Sequence, residues 1–276
     1  METFFASIIG LFDLTMPTPE PYGSFHICFV MITALSCFLL FRYFRSPSDK
    51  TIRKILLVYA IVCIVLEVYK QISFTFDVND GVITSNYQWY AFPFQFCSIP
   101  MYVALLAALI PSKNFLHGAI SFLATFGVIA GVLVMASPTT VFIDTIGINI
   151  QTMVHHGGQV CIGLFLLIRG GACKTFGAEL RGIGFFLGAV STALLLDFTV
   201  IRFIPEGTTF DMFFLSPYFD TTLPVYVGIE PHVSFPVFVL LYVLPFITVS
   251  LGMYAAIYPL PRLIAYGKRK KAAKIK

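Results

Sequence analysis

The sequence predicts an all-α polytopic membrane protein of seven transmembrane helices, amino terminus outside and carboxyl terminus in the cytoplasm, and three observations predict it. Of its 276 residues 58% are hydrophobic and only 12% charged. An ordinary soluble domain is about a quarter charged, so water is not the main solvent of this chain. Apolar runs long enough to cross about 30 Å of hydrocarbon recur along the whole length with short connections between them. Lysine and arginine then alternate in abundance from one connection to the next.

The runs lie near residues 24–41, 54–73, 91–110, 116–136, 151–168, 182–203 and 234–258. Before them, METFFASIIGLFDL lacks the basic start and small-residue cleavage site of a signal peptide, and Glu2 and Asp13 carry the wrong charge for one. Residues 1–23 are therefore expected to stay as an interfacial segment, 24–258 to form the membrane domain, and 259–276 to form a basic cytoplasmic tail. With the amino terminus outside, the inner segments hold Arg42, Arg45, Lys50, Arg53 and Lys54, then Lys113, then Arg169, Lys174 and Arg181. The tail GKRKKAAKIK and Arg262 complete sixteen of the eighteen basic residues, leaving Lys70 and Arg202 near outer helix ends. Losing or adding one helix would scramble that alternation. It also accounts for the net charge of +4 as topology, so no nucleic-acid partner is indicated.

Gly127 with Gly131, and Gly184 with Gly188, have the spacing that lets helices approach closely. The outer segment 204–231 carries Pro205, Gly207, Pro217, Pro224 and Pro231, so it cannot be one helix; its aromatics suit a partly inserted lid over the bundle.

Ionisable and polar groups inside spans are costly, and each is a functional candidate. They are Glu67, Gln95, Cys97, Gln151, His155, His156, Gln159 and Asp197. Counted at about 1.5 Å per residue, Glu67, Cys97, the histidines and Asp197 fall in one layer roughly 7–10 Å below the outer boundary. A thiol, imidazoles and carboxylates in one layer are the parts of an activated nucleophile with its base and orienting acid, and acyl transfer is the natural reaction class. Each has a plainer reading. Cys97 is either the nucleophile or a small packed hydrophobe, as Cys28, Cys37, Cys63, Cys161 and Cys173 are read to be. His155 and His156 diverge by about 100° on a helix, and spacing does not say which faces the thiol. Glu67 and Asp197 either orient an imidazolium or pair with Lys70 and Arg202. Six cysteines without CxxC spacing suggest no disulfide framework, and without HExxH either, no metal and no cofactor are expected. A second class, a proton-coupled transporter relaying protons through Glu67, Asp197 and the histidines, uses the same residues with Cys97 incidental.

At these residues the sequence resembles the YwaF-like bacterial integral membrane proteins, related to eukaryotic transmembrane protein 164. The likeness runs from about residue 50 to 245 and rests on the order of EVYKQISF (67–74), FPFQFCSIP around Cys97, HHGG (155–158) and TFDMFFLSP (209–217). It implies a seven-helix acyltransferase of the bacterial cell membrane, whose partners are membrane phospholipids and lysophospholipids. By motif position Cys97 would carry the acyl group and His156 serve as base, with His155, Glu67, Asp197, Gln95 and Gln159 in support. Two features depart from the family pattern: Gln95 stands where relatives often have histidine, and His155 doubles the histidine. Access of water to the same site would make the protein a phospholipid hydrolase.

Overall fold

Three helix starts in this chain are set by small hydroxyl residues next to the apolar runs. Ser48 Oγ accepts the Thr51 amide (3.2 Å), Ser112 Oγ that of Phe115 (3.3 Å) and Thr175 Oγ1 that of Ala178 (3.2 Å), each satisfying a backbone donor that the first turn leaves free. In the computed structural model, which describes residues 9, 10, 12, 14–79, 81–171, 175–259 and 262, seven long helical segments follow. They are α1 (Ser24–Tyr43), α2 (Asp49–Ser73), α3 (Ile99–Leu109), α4 (Lys113–Ala136), α5 (Ile146–Ile168), α6 (Phe176–Val200) and α7 (Phe235–Ile257). Several begin up to six residues before the apolar run, because an apolar count finds the hydrocarbon-spanning part while the cap lies in the polar boundary. α3 is preceded by 3-10 turns at Trp89–Ala91 and Phe96–Ser98, and Trp89–Leu109 together make one span-length segment. α4 runs through a π-helical turn, Leu123–Gly127.

Six of these segments are long and apolar enough to cross a membrane: α1, α2, Trp89–Leu109, α4, α6 with its 3-10 extension to Phe203, and α7. The expected seventh, α5, is a 23-residue helix that this measure does not include. Asn149, Gln151, Thr152, His155, His156 and Gln159 dilute its apolar content, and all six are buried. α5 is the central helix, with α1, α2 and α4 packed around it. The outer helices carry the lipid-suited surface, as on α2, where Val58, Val65 and Val68 are exposed.

Contacts show the helices alternating in direction. Gly131 of α4 lies against His156 and Gln159, and Gly163 against Val128, so α4 and α5 run antiparallel at close approach. A Cβ on Gly131 would stand 2.7 Å from the His156 carbonyl oxygen. Gly184 and Gly188 have open space instead, so that pair is not the packing device its spacing suggested. At the ends of the bundle, the His26 ring accepts the Tyr22 amide at Nδ1 and donates from Nε2 to the Met135 carbonyl, joining α1 to the end of α4 (both 2.9 Å). Arg53 caps the carboxyl end of α3 through the carbonyls of Ala107, Ile110 and Ser112.

The chain is not wholly α-helical. β1 (Phe76–Asn79) and β2 (Val82–Ser85) form an antiparallel hairpin with Val78 opposite Ile83, turning at Gly81 with φ 79°. Asn79-Asp80-Gly81 between alternating residues is its sequence signature, outweighed by the apolar runs on either side. Of the expected interfacial segment, Thr15 bridges Thr145 and the Tyr69 hydroxyl donates to the Phe12 carbonyl (2.9 Å). Residues 1–8 and nearly all of the basic tail lie outside the described residues.

Candidate active site

Pro100 has no amide hydrogen, and the chain enters α3 through the 3-10 turn Phe96–Ser98. The Cys97 carbonyl takes its hydrogen bonds from α5: His155 Nε2 donates to it at 2.9 Å and Gln159 Nε2 at 2.5 Å. His155 and Gln159 are one turn apart on the same face of α5 and grip one oxygen. α5 begins at Ile146, five residues earlier than its apolar run, so the histidines lie about 14–15 Å from its start.

His156 points elsewhere. Its Nδ1 lies 2.7 Å from the Thr152 carbonyl, which can only accept, so Nδ1 carries the hydrogen and Nε2 holds a lone pair. By the same argument His155, donating from Nε2, holds its lone pair on Nδ1. Both basic nitrogens are buried without a hydrogen-bond partner, as is Gln159 Oε1. The rings are edge-to-face with centroids 5.3 Å apart. The site therefore contains two imidazoles, each with one buried ring nitrogen left without a partner, and of the two His155 reaches the Cys97 backbone.

Glu67 is buried and paired with Lys70 one turn on (2.8 Å), and the same oxygen accepts from Gln71 Nε2 (2.8 Å). Gln71 also donates to the Ala91 carbonyl and accepts from the Tyr87 hydroxyl (2.7 Å), tying α2 to the segment that leads to Cys97. Cys97 lies within electrostatic reach of both Glu67 and Lys70. A cleft of about 390 Å³ opens between α2 and α3 at this point, lined by Glu67, Gln71, Pro93, Met101 and Tyr102.

Asp197 and Gln95 serve another structure. The Phe210–Ser216 stretch folds back into the bundle, with Phe210, Met212, Phe213 and Leu215 fully buried. Phe213 and Phe214 adopt φ of 62° and 57°, a left-handed conformation costly for bulky residues. Side-chain bonds hold them there: Asp197 Oδ1 accepts the Met212 amide (2.8 Å), Gln95 Oε1 accepts the Phe213 amide (3.0 Å), and Gln95 Nε2 donates to the Asp211 carbonyl (2.9 Å). Phe213 then packs on Phe96, ring centroids 5.5 Å apart, directly before Cys97. Asp197 thus binds the inserted segment through Met212, and its Oδ2 has no hydrogen-bond partner.

The structure brings His155 and Gln159 onto the Cys97 carbonyl, sets the His156 ring beside that of His155 with its Nδ1 turned to its own helix, pairs Glu67 with Lys70 on α2, and gives Gln95 and Asp197 to the inserted segment. Sequence reasoning missed Gln71 and the role of Asp211. The spacing Glu67, Lys70, Gln71, all on one helix face, was the available signal for Gln71. It also passed over Glu179, a fully buried carboxylate that accepts from Ser121 of α4 and Ser250 of α7 (2.5 Å for the latter), because the apolar run in the sequence starts only near residue 182. Among the described residues no group of three or more His, Cys, Asp or Glu is arranged to hold a metal ion.

No curated protein and no solved structure matches the chain. The model of the TMEM164 family matches residues 21–254, from the first helix through nearly all of the last and across every residue of the site. With six helices of membrane-spanning length and a match of that extent, the chain is an integral multi-pass membrane protein that belongs to the TMEM164 family.

Proposed function

We propose that the protein is a membrane-embedded acyltransferase that moves a fatty acyl chain from a phospholipid to a lysophospholipid through a thioester on Cys97. The observation that carries this reading is the grip of His155 and Gln159 on the Cys97 carbonyl, which sets a thiol-bearing residue against a buried helix turn whose next histidine presents an unpartnered basic nitrogen. His156 Nε2 takes the thiol proton as sulfur attacks the ester carbonyl. Collapse breaks the ester C–O bond, the imidazolium protonates the departing lysolipid oxygen, and the acyl group remains on sulfur. An acceptor hydroxyl, deprotonated by the same nitrogen, then displaces the thiolate, which recovers its proton. His155 and Gln159 are positioning residues in this scheme. In this scheme a lipid ester enters by the cleft at Glu67, whose lining includes Pro93 and Met101 on either side of Cys97 in the chain.

Seven spans, with the amino terminus outside, complete the reading. α5 lies antiparallel to α2 and α4, and its polar residues are covered by protein rather than lipid, so a low apolar content is compatible with spanning.

The test is transfer of a labelled acyl chain in proteoliposomes, with trapping of the thioester. Wild type should transfer the label and yield a trapped adduct on Cys97, and Cys97→Ser should do neither. Full transfer by Cys97→Ser would overturn the mechanism. Release of free fatty acid in the presence of acceptor would assign the site to hydrolysis.

A further inference from the structure

α1 and α2 are joined by residues 44–48 alone, and helices so connected ordinarily pack against each other. Here they meet only sparsely, and each leans on α5 instead. On one side, a Cβ on Gly157 would meet Thr33, and the Cys37 and Cys161 sulfurs lie 3.1 Å apart; on the other, Gly158 faces the Tyr59 ring. The two contact lines diverge and leave a cleft of about 560 Å³ between α1 and α2. Its walls are apolar, with Ile32, Leu40, Val58, Val62, Val154 and Ile162 among them, and its floor is the side-chain-free step Gly157–Gly158.

Lys54 is the charged residue lining the cleft, at the end where α1 finishes and α2 begins, and no carboxylate lines it. Lys54 is exposed, and Arg42, Arg45 and Lys50 are exposed at the same end. Asp49 is five residues from Lys54, on a different face of α2, and does not line the cleft. A second copy of the chain docked here would set like charges against each other. A lipid with a negative headgroup would set its phosphate against Lys54 and its hydrocarbon against the valines and isoleucines.

We propose that this cleft holds one acyl chain of an anionic phospholipid whose headgroup phosphate is bound at Lys54. Tyr59 is the inner wall: its ring packs on Gly158, and its buried hydroxyl meets the Cys63 thiol. The bound chain lies against the back of the helix turn that carries His156, where bilayer lipid composition bears on the site without entering it. The proposal is independent of the reaction assigned to Cys97, because it rests on the other side of that wall.

The experiment is native mass spectrometry of the full chain extracted from vesicles of equal phosphatidylglycerol and phosphatidylcholine. Wild type should retain one phosphatidylglycerol, preferred about fivefold. Lys54→Gln should keep the occupancy and lose the preference. Val58→Trp, which fills the cleft from an exposed position, should lose the lipid, whereas Leu106→Trp, on an exposed face of α3, should keep it. Retention by Val58→Trp equal to wild type, absence of headgroup preference in wild type, or a dimer in place of bound lipid would each overturn the proposal. Photolabelling of wild type with a diazirine phosphatidylglycerol needs no variant to fold: label on Val58, Val62 or Val154 supports the site, and label confined to other helices overturns it.

Discussion

His155 and His156 are neighbours in the chain with opposite commitments, since His155 spends its Nε2 hydrogen on Cys97 and His156 spends its Nδ1 hydrogen on its own helix. A base must keep a lone pair free and remain movable toward the thiol. His156 is anchored only within α5, whereas His155 is tied to the residue it would have to deprotonate. Loss of a general base typically costs about 10²- to 10⁴-fold in rate. His156→Ala should show a loss in that range in the proteoliposome assay, and His155→Ala a smaller one; the reverse order would reassign the base. The double variant Cys97→Ser with His156→Ala should be little worse than either alone, because the second loss acts on a mechanism already disabled. The identity of these residues was readable from the cost of polar groups in apolar runs. Which nitrogen each histidine keeps free was not, because that depends on a carbonyl on another helix and on one a turn back.

The inserted segment shows what an element can require of distant side chains. Besides a local bond to the Tyr90 carbonyl, Gln95 bonds residues 116 and 118 positions away, and its loss would leave the Phe213 amide and Asp211 carbonyl unsatisfied in a buried place. Gln95→Leu should lower stability by about 1–3 kcal/mol, read as a reduced thermal midpoint in detergent, with a larger loss than an exposed substitution such as Val225→Ala. Asp211 lies in this segment, outside the spanning helices, and burial, aided by Glu230, pushes its carboxyl up to about 6 although Ser216 donates to it. Between pH about 4 and about 6 the folded chain holds a proton that the unfolded one has released. Its stability contribution is therefore complete below about pH 4 and is lost as pH rises through about 6. The thermal midpoint should fall across that window, and Asp211→Asn, which keeps an acceptor for Ser216, should flatten the fall. At the α4–α5 crossing, Gly131→Leu forces a side chain onto the His156 carbonyl and should cost about 1–3 kcal/mol together with activity. Gly188→Leu, in open space, should cost little, although the two glycines have equivalent spacing in the sequence.

For the whole molecule, the charge asymmetry and the alternating helix directions make a joint prediction. A reporter fused after Lys276 should be cytoplasmic and one inserted near Gly207 external. Both on one side would end the seven-span topology. The central position of α5 explains why its apolar content is the lowest signal of the seven: a helix surrounded by protein does not need the hydropathy that lipid demands of the others.

The membrane class, the positions of the helices and the set of candidate residues were determined by the sequence itself, because solvent class and spanning length are properties of local composition that need no partner. The tertiary structure alone decided how those residues divide. His155 and Gln159 grip the Cys97 carbonyl, while Gln95 and Asp197 hold the inserted segment, since hydrogen bonds between residues 58, 62 or 118 positions apart leave no periodic trace in the chain. Only the packing could show that Gly131 is filled by a neighbour and Gly188 is not, or that α1 and α2 stand apart around a cleft, because each depends on which face another helix happens to cover.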